Sequence, residues 1–255
     1  MKVLLTGAWS AKWYLLIGLF SFIVFLGITA PLEFIWPKVQ PHMGRLPVQV
    51  ELVSGTVWQG QARINIPNVG KVTGHWDIQL SELFIGQLAA KVDISGDALK
   101  FKGLVRGSAD QVEVIESEAF MSSRYLAPLL RQGKSSLSGD FELNKFNAIF
   151  SLKDKQILAA DGRILFNGGD VSFPIDGKKI NATLPILIGV FNKPGDNVEL
   201  AITNTDGQSI GSGYVQPDGW SGMAIRRRFL DILGQKWPAD VDEETVIFEV
   251  SQKLL

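Results

Sequence analysis

Residues 13–32, WYLLIGLFSFIVFLGITAPL, carry no charge, and none falls between Lys12 and Glu33. As an α-helix rising about 1.5 Å per residue, a run of roughly twenty residues covers about 30 Å, the thickness of a bilayer's hydrocarbon layer. Only a helix satisfies its own backbone donors and acceptors in lipid, so the β-branched and aromatic content does not argue for a strand. Trp9, Trp13 and Tyr14 at one end, with Phe34 and Trp36 at the other, place amphipathic rings where headgroups would lie. The sequence therefore predicts one transmembrane helix over residues 13–32, with residues 1–12 as a short cytoplasmic N-terminus.

Lys2, Lys12 and the α-amino group precede the span, while Glu33, Lys38 and Arg45 follow it. The Lys/Arg count differs little between the flanks, but a short charged N-terminus favours staying in the cytoplasm, with the remainder exported. A cleaved signal peptide is the competing reading. Its apolar core should run about 7 to 15 residues and end at a small-x-small site. The core here is longer, and cleavage after Ala30 would leave bulky Ile28 at the third position back, so the uncleaved anchor is the expectation.

Roughly 215 residues follow the span, enough for one large domain or two small ones. A formal net charge of −1 gives no sign of an electrostatic nucleic-acid binder. Cysteine is absent, which excludes a disulfide framework, cysteine-ligated zinc and a thiol nucleophile together. Residues 33–47 contain Pro37, Pro41, Gly44 and Pro47, and are expected to form an extended tether.

From residue 48 onward the chain alternates. Val48, Val50 and Leu52 alternate with Gln49 and Glu51; Trp58, Ala62, Ile64 and Ile66 with Gln59, Gln61, Arg63 and Asn65. Val72, Trp76, Ile78 and Leu80 then face Lys71, Thr73, His75, Asp77 and Gln79. Period two means one buried and one wet face, the pattern of antiparallel strands. Leu88 to Ser95 continues it, and Leu99, Phe101 and Val105 shift phase across a turn at Gly96-Asp97. Leu137 to Leu152 suggests two strands around Asn144-Lys145 or one long bent strand. Ser122 to Gln132 and Met223 to Leu233 have helical spacing, each followed by a glycine. Ten to twelve one-sided strands with almost no helix predict an exported all-β domain over residues 48–255. To bury its single apolar face, a long, strongly curved antiparallel sheet must become barrel-like or fold over on itself.

The segment at residues 52–62, LVSGTVWQGQA, follows the N-terminal anchor, and Gly-x-Gly-x-x-x-Pro-Asp-Gly stands at Gly211 to Gly219. On these features the chain resembles the type II secretion system protein N family over essentially its full length. The part after Trp220, with its Arg226-Arg227-Arg228 run, fits that pattern less well. The resemblance implies a bitopic protein of the inner membrane of Gram-negative bacteria, mostly periplasmic. It would accompany the machine that moves folded proteins across the outer membrane. It supplies no catalytic residues.

Within the motif, Gly55 and Gly60 permit backbone angles or close approaches that a Cβ would obstruct. Trp58 can cover a large apolar area at a sheet corner. Two readings stay open for Gly55, Trp58 and Gly60: a folding corner, or a docking site for another secretion component. Arg226, Arg227 and Arg228 sit beside Ile225 and Phe229, so they can contact a membrane surface or partner, or stay wet while the apolar side packs. The acidic knot of Asp240, Asp242, Glu243 and Glu244 lacks the ligand spacing and inner glycine of a calcium loop. His42 lies in the tether and His75 on a polar strand face, with no partner spacing for a triad or metal site. No P-loop or dinucleotide fingerprint occurs. These features predict a non-enzymatic protein without cofactor, metal or nucleic-acid partner. The resemblance implies other secretion components as partners, and the charge-free span implies the inner membrane. A lipid-binding or lipid-bridging β-groove is the alternative, because a curved sheet with one greasy face can leave an open trench. A purely structural envelope role is the third reading.

Overall fold

The computed structural model describes residues 4–42, 49–67, 70–175, 178–235 and 240–253. It opens with helix α1 (Leu4–Thr29), whose apolar side chains from Trp13 to Ile28 are largely exposed. Its side chains are described from Trp13 onward, and residues 13–29 alone would reach about 26 Å. Among the described residues, no helix is long and apolar enough to cross a membrane.

Pro31 ends α1. It cannot donate a backbone hydrogen bond, and it biases Ala30 away from the helical region. Ala30 N–H still donates to Leu26 at 2.8 Å, and the Thr29 hydroxyl donates to the Phe25 carbonyl at 2.7 Å. A second helix, α2 (Leu32–Val39), follows at once and leads into a 3-10 turn, Gln40–His42. The start of the tether is therefore helical rather than extended. Pro31, with φ −66°, is pre-set for the position just ahead of a helix, and Pro37 inside the helix removes one backbone donor without breaking it. The rest of the expected tether, residues 43–47, lies outside the described residues.

The strands are β1 (Gln49–Gly55), β2 (Gln59–Ile66), β3 (Gly70–Gln79), β4 (Leu88–Gly96), β5 (Leu99–Gly107) and β6 (Gln111–Ser122), with helix α3 (Leu80–Leu83) before β4. After helix α4 (Ala127–Gln132) come β7 (Ser136–Leu137), β8 (Asp140–Ser151), β9 (Gln156–Phe166), β10 (Gly169–Ile175) and β11 (Lys178–Leu184). Then follow β12 (Leu187–Asn192), β13 (Val198–Asn204), β14 (Ser209–Val215), β15 (Trp220–Arg226), helix α5 (Arg227–Ile232) and β16 (Val246–Lys253). Thirteen of these strands form one antiparallel sheet in the order β1-β2-β3-β4-β5-β6-β8-β9-β12-β13-β14-β15-β16. β11, β10 and β7 form a second sheet of three strands. β1 and β16 do not pair, so the long sheet is open and the barrel alternative is not realised.

The register explains the alternation. Ile94 pairs with Phe101 across the β4–β5 turn, so the phase shift near Gly96 keeps both apolar rows on one face. β8 is one bent strand: its register with β9 slips between Asn144 and Asn147, where Lys145 takes φ +48°. The first helix expectation is met in two pieces, a 3-10 turn, Ser123–Tyr125, and then α4 from Ala127 with Pro128 in its first turn, where a missing N–H costs nothing. The second was too long. Met223 to Arg226 belong to β15, because Met223 and Ile225 pair with Val250 and Phe248 of β16; only Arg227–Ile232 is helical. Ladder pairing overrides a weak helical stripe.

The three-strand sheet, α4 and α5 gather over one part of the long sheet. Phe166, Leu184 and Leu233 are buried there, packed by Phe141, Leu137, Leu187, Phe173 and Phe229. The rings of Phe141 and Phe166 lie 5.0 Å apart, tilted by 35°. Each such side chain taken out of water contributes roughly 1.5–3 kcal/mol. Elsewhere buried apolar side chains are scattered, Val53, Val72, Val198 and Ile210 among them, and most of the apolar face is half-buried. Among the described residues the largest side chain with essentially no exposure is that of Ser117, so the long sheet has no sealed core along its whole length.

Candidate functional site

The 52–62 motif forms the tip of the β1–β2 hairpin. Gly55 and Gly60 face each other across it, with Gly55 at φ +93°. A Cβ on Gly55 would lie 2.5 Å from the Gln59 carbonyl oxygen, and one on Gly60 would lie 2.5 Å from Cζ2 of Trp76. Both glycines are therefore required by close approach. Trp58 lies in the loop between the strands, not within a strand as its alternation suggested, because the chain reverses between the two glycines.

This tip is tied on both sides. Toward β3, Ile78 N–H donates to the Trp58 carbonyl at 2.7 Å, and the Trp76 indole donates to the Val57 carbonyl at 3.0 Å. Toward the N-terminus, Pro31 forms a β-bridge with Thr56, and the Trp58 indole N–H donates to the Gly27 carbonyl at 3.0 Å. The last contact follows from α1's own geometry. The helical partner of the Gly27 carbonyl would be the N–H of residue 31, and proline has none. Trp58 replaces that missing donor. The sequence held the signal, a proline four residues after Gly27 in a helical run, but not the identity of the donor.

Arg226, Arg227 and Arg228 meet the acidic knot. Arg226 Nη1 donates to the Glu244 carbonyl at 2.7 Å and to its carboxylate at 3.0 Å. Arg227 donates to the Val241 carbonyl and lies 3.7 Å from Asp231. Arg228 donates to Glu243 at 3.1 and 3.2 Å, to Glu244, and to the Ser209 carbonyl at 3.1 Å. The Glu244 hydrogen bond raises the Arg228 pKa above its ordinary value; Glu243 adds to the effect and partial desolvation opposes it. The three cations thus clasp residues 241–245, the approach to β16, rather than standing free.

Two shallow grooves of about 600 and 380 Å³ run along the charged face, between cross-strand rows that include His75, Asp93, Lys102 and Glu118. His75 is exposed and stands opposite Asp93 in the ladder. Among the described residues no cluster of His, Asp or Glu could hold a metal ion. On the other face, a hollow of about 240 Å³ is walled by Leu137, Phe141, Phe166, Leu187, Ile202 and Met223 among others, without a charged residue. It lies against the buried cluster below the three-strand sheet.

The sequence model of one family, type II secretion system (T2SS), protein N, matches residues 47–226. No curated protein and no solved structure matches the chain. The matched region holds the hairpin tip, the three-strand sheet and the long sheet through β15; it stops at the first residue of the arginine run.

Proposed function

We propose, from the premise that this chain belongs to the type II secretion system protein N family, that it is a non-enzymatic accessory component of that system held at the inner membrane by α1. The observation that carries the anchoring is the junction at Pro31. Residues 13–30 are free of charge, their side chains face outward, and the one carbonyl that Pro31 would orphan is taken up by Trp58. An unpaired carbonyl near lipid is costly, so a span that ends in this way is provided for by the domain it carries. Residues 1–12 would lie in the cytoplasm and the β-rich part in the periplasm, binding its partners through strand edges and rim loops. Gly55, Trp58 and Gly60 then set the body on its anchor, and Arg226 to Arg228 hold the last strand in place, which leaves them little charge for a bilayer.

Fractionation of envelopes containing the full chain tests the anchor. It should resist carbonate and high-salt extraction and require detergent; release by carbonate would reject it. Affinity isolation from mildly solubilised envelopes tests the role: secretion components should co-purify, and their consistent absence would reject it. A second reading, lipid binding, is favoured by the charge-free hollow beside Phe141 and Met223. Native mass spectrometry should then find co-purified lipid, lost when Ile202 and Met223 are changed to tryptophan to fill the hollow.

A further inference from the structure

The long sheet has two edges, and among the described residues only the β1 edge has chain lying along it. β16 has no described neighbour beyond it, so every second N–H and C=O along its outer side points away from the sheet. Val246, 47% exposed, lies past a bulge and on the opposite face; Phe248 and Val250, 55% and 52% exposed, share one face. These two extend the apolar row of Met223 and Ile225, their neighbours in the ladder. Edges that must not pair usually carry proline, a bulge, or a charge on the apolar face. β16 has a bulge at its start, between Val246 and Phe248, but none of these along Phe248 to Lys253. Its charges, Glu249 and Lys253, project from the opposite face and have no ion-pair or hydrogen-bond partner among the described residues.

We infer that β16 is a receiving edge, to which a partner protein of the secretion machinery adds an extended segment as an antiparallel strand. The inference rests on the secretion reading above and names the surface it would use. The exposed side chains dictate the partner's chemistry. Apolar residues belong opposite Phe248 and Val250, a basic residue opposite Glu249 and an acidic one opposite Lys253. Written from the partner's N-terminus, this is acidic-x-x-apolar-basic-apolar. β1 adjoins α2, and β16 lies at the other extreme of the strand order, so the receiving edge is the one not taken up by the N-terminal segment.

The test uses the full chain in its native envelope. A photo-crosslinking residue in place of Phe248 should join the chain to a secretion component whose sequence contains the pattern above. The double variant Phe248→Lys, Val250→Lys should lower co-purification of secretion components at least tenfold while strand content and thermal midpoint stay unchanged. Glu249→Lys should lower it several-fold. Leu52→Lys, an equally exposed site on β1, should leave it unchanged. Undiminished recovery with the double variant, or a crosslinked product of two copies of this chain, overturns the edge assignment and leaves the secretion reading standing. If the unaltered chain recovers no secretion component, both fall. The crosslink at Phe248 keeps the question decidable should the lysine variants fail to fold.

Discussion

At β1 the sheet is finished by the chain itself. A bulge between Val50 and Leu52 interrupts the ladder, α2 lies alongside, Pro31 bridges to Thr56, and Glu51 is paired with Lys71 at 3.0 Å. At β16 the pairing stops with no cover among the described residues, although residues 241–245 before it are held by Arg226, Arg227 and Arg228. One end is tied to the N-terminal helices, while the other is paired on its inner side and, among the described residues, open on its outer side. A strand held in register with its outer edge free is pre-organised to accept another strand, because little ordering entropy is left to lose on binding.

Changes at the closed end should have the largest effects. Gly55→Ala puts a Cβ 2.5 Å from a backbone oxygen at φ +93°, so it should destabilise the chain by about 2 kcal/mol or more, seen as a lower midpoint in denaturant. Gly60→Ala, which presses on the Trp76 ring, should follow at roughly 1–3 kcal/mol. An unchanged midpoint for both would show that the hairpin tip yields and does not fix the β1 end.

Trp58→Phe should cost about 1 kcal/mol through the lost hydrogen bond to Gly27. In a Pro31→Ala background the same change should cost clearly less, because residue 31 then supplies an N–H for that carbonyl. A double-mutant cycle measures this coupling, and zero coupling would refute the substitution of Trp58 for the missing donor. At the open end, Arg228→Ala should leave global unfolding little changed but speed proteolytic nicking between residues 233 and 245. Arg228→Lys should restore protection only in part, because a lysine cannot span Glu243, Glu244 and the Ser209 carbonyl together. The smallest effect belongs to the exposed pair Lys71–Glu51: Lys71→Ala should cost about 0.5 kcal/mol or less, and nothing measurable at high salt.

The sequence was most legible where a period was strict. Alternation along residues 71–79 and 88–95 marks β3 and β4 because a half-buried strand must segregate its faces. It failed where two periods compete. Met223, Ile225 and Phe229 suit a helix as well as a strand, and only pairing with β14 and β16 settles Met223 into the ladder. Trp58 alternates with its neighbours yet lies in a loop, since the glycines at 55 and 60 turn the chain before the pattern can extend.

By itself the sequence determined a charge-free helical run and a long series of one-sided strands, though it carried the helix to residue 32 where the structure ends it at Thr29. Each follows from hydropathy and its period, which act over a few residues. Tertiary structure alone decided that the sheet stays open rather than closing into a barrel. It also decided that Trp58 reaches back to Gly27, that Trp76 closes in on Gly60, that the arginine run is spent on its own acidic loop, and that the N-terminal helices lie at the β1 edge of the sheet. These depend on contacts between residues far apart in the chain, which no local pattern encodes.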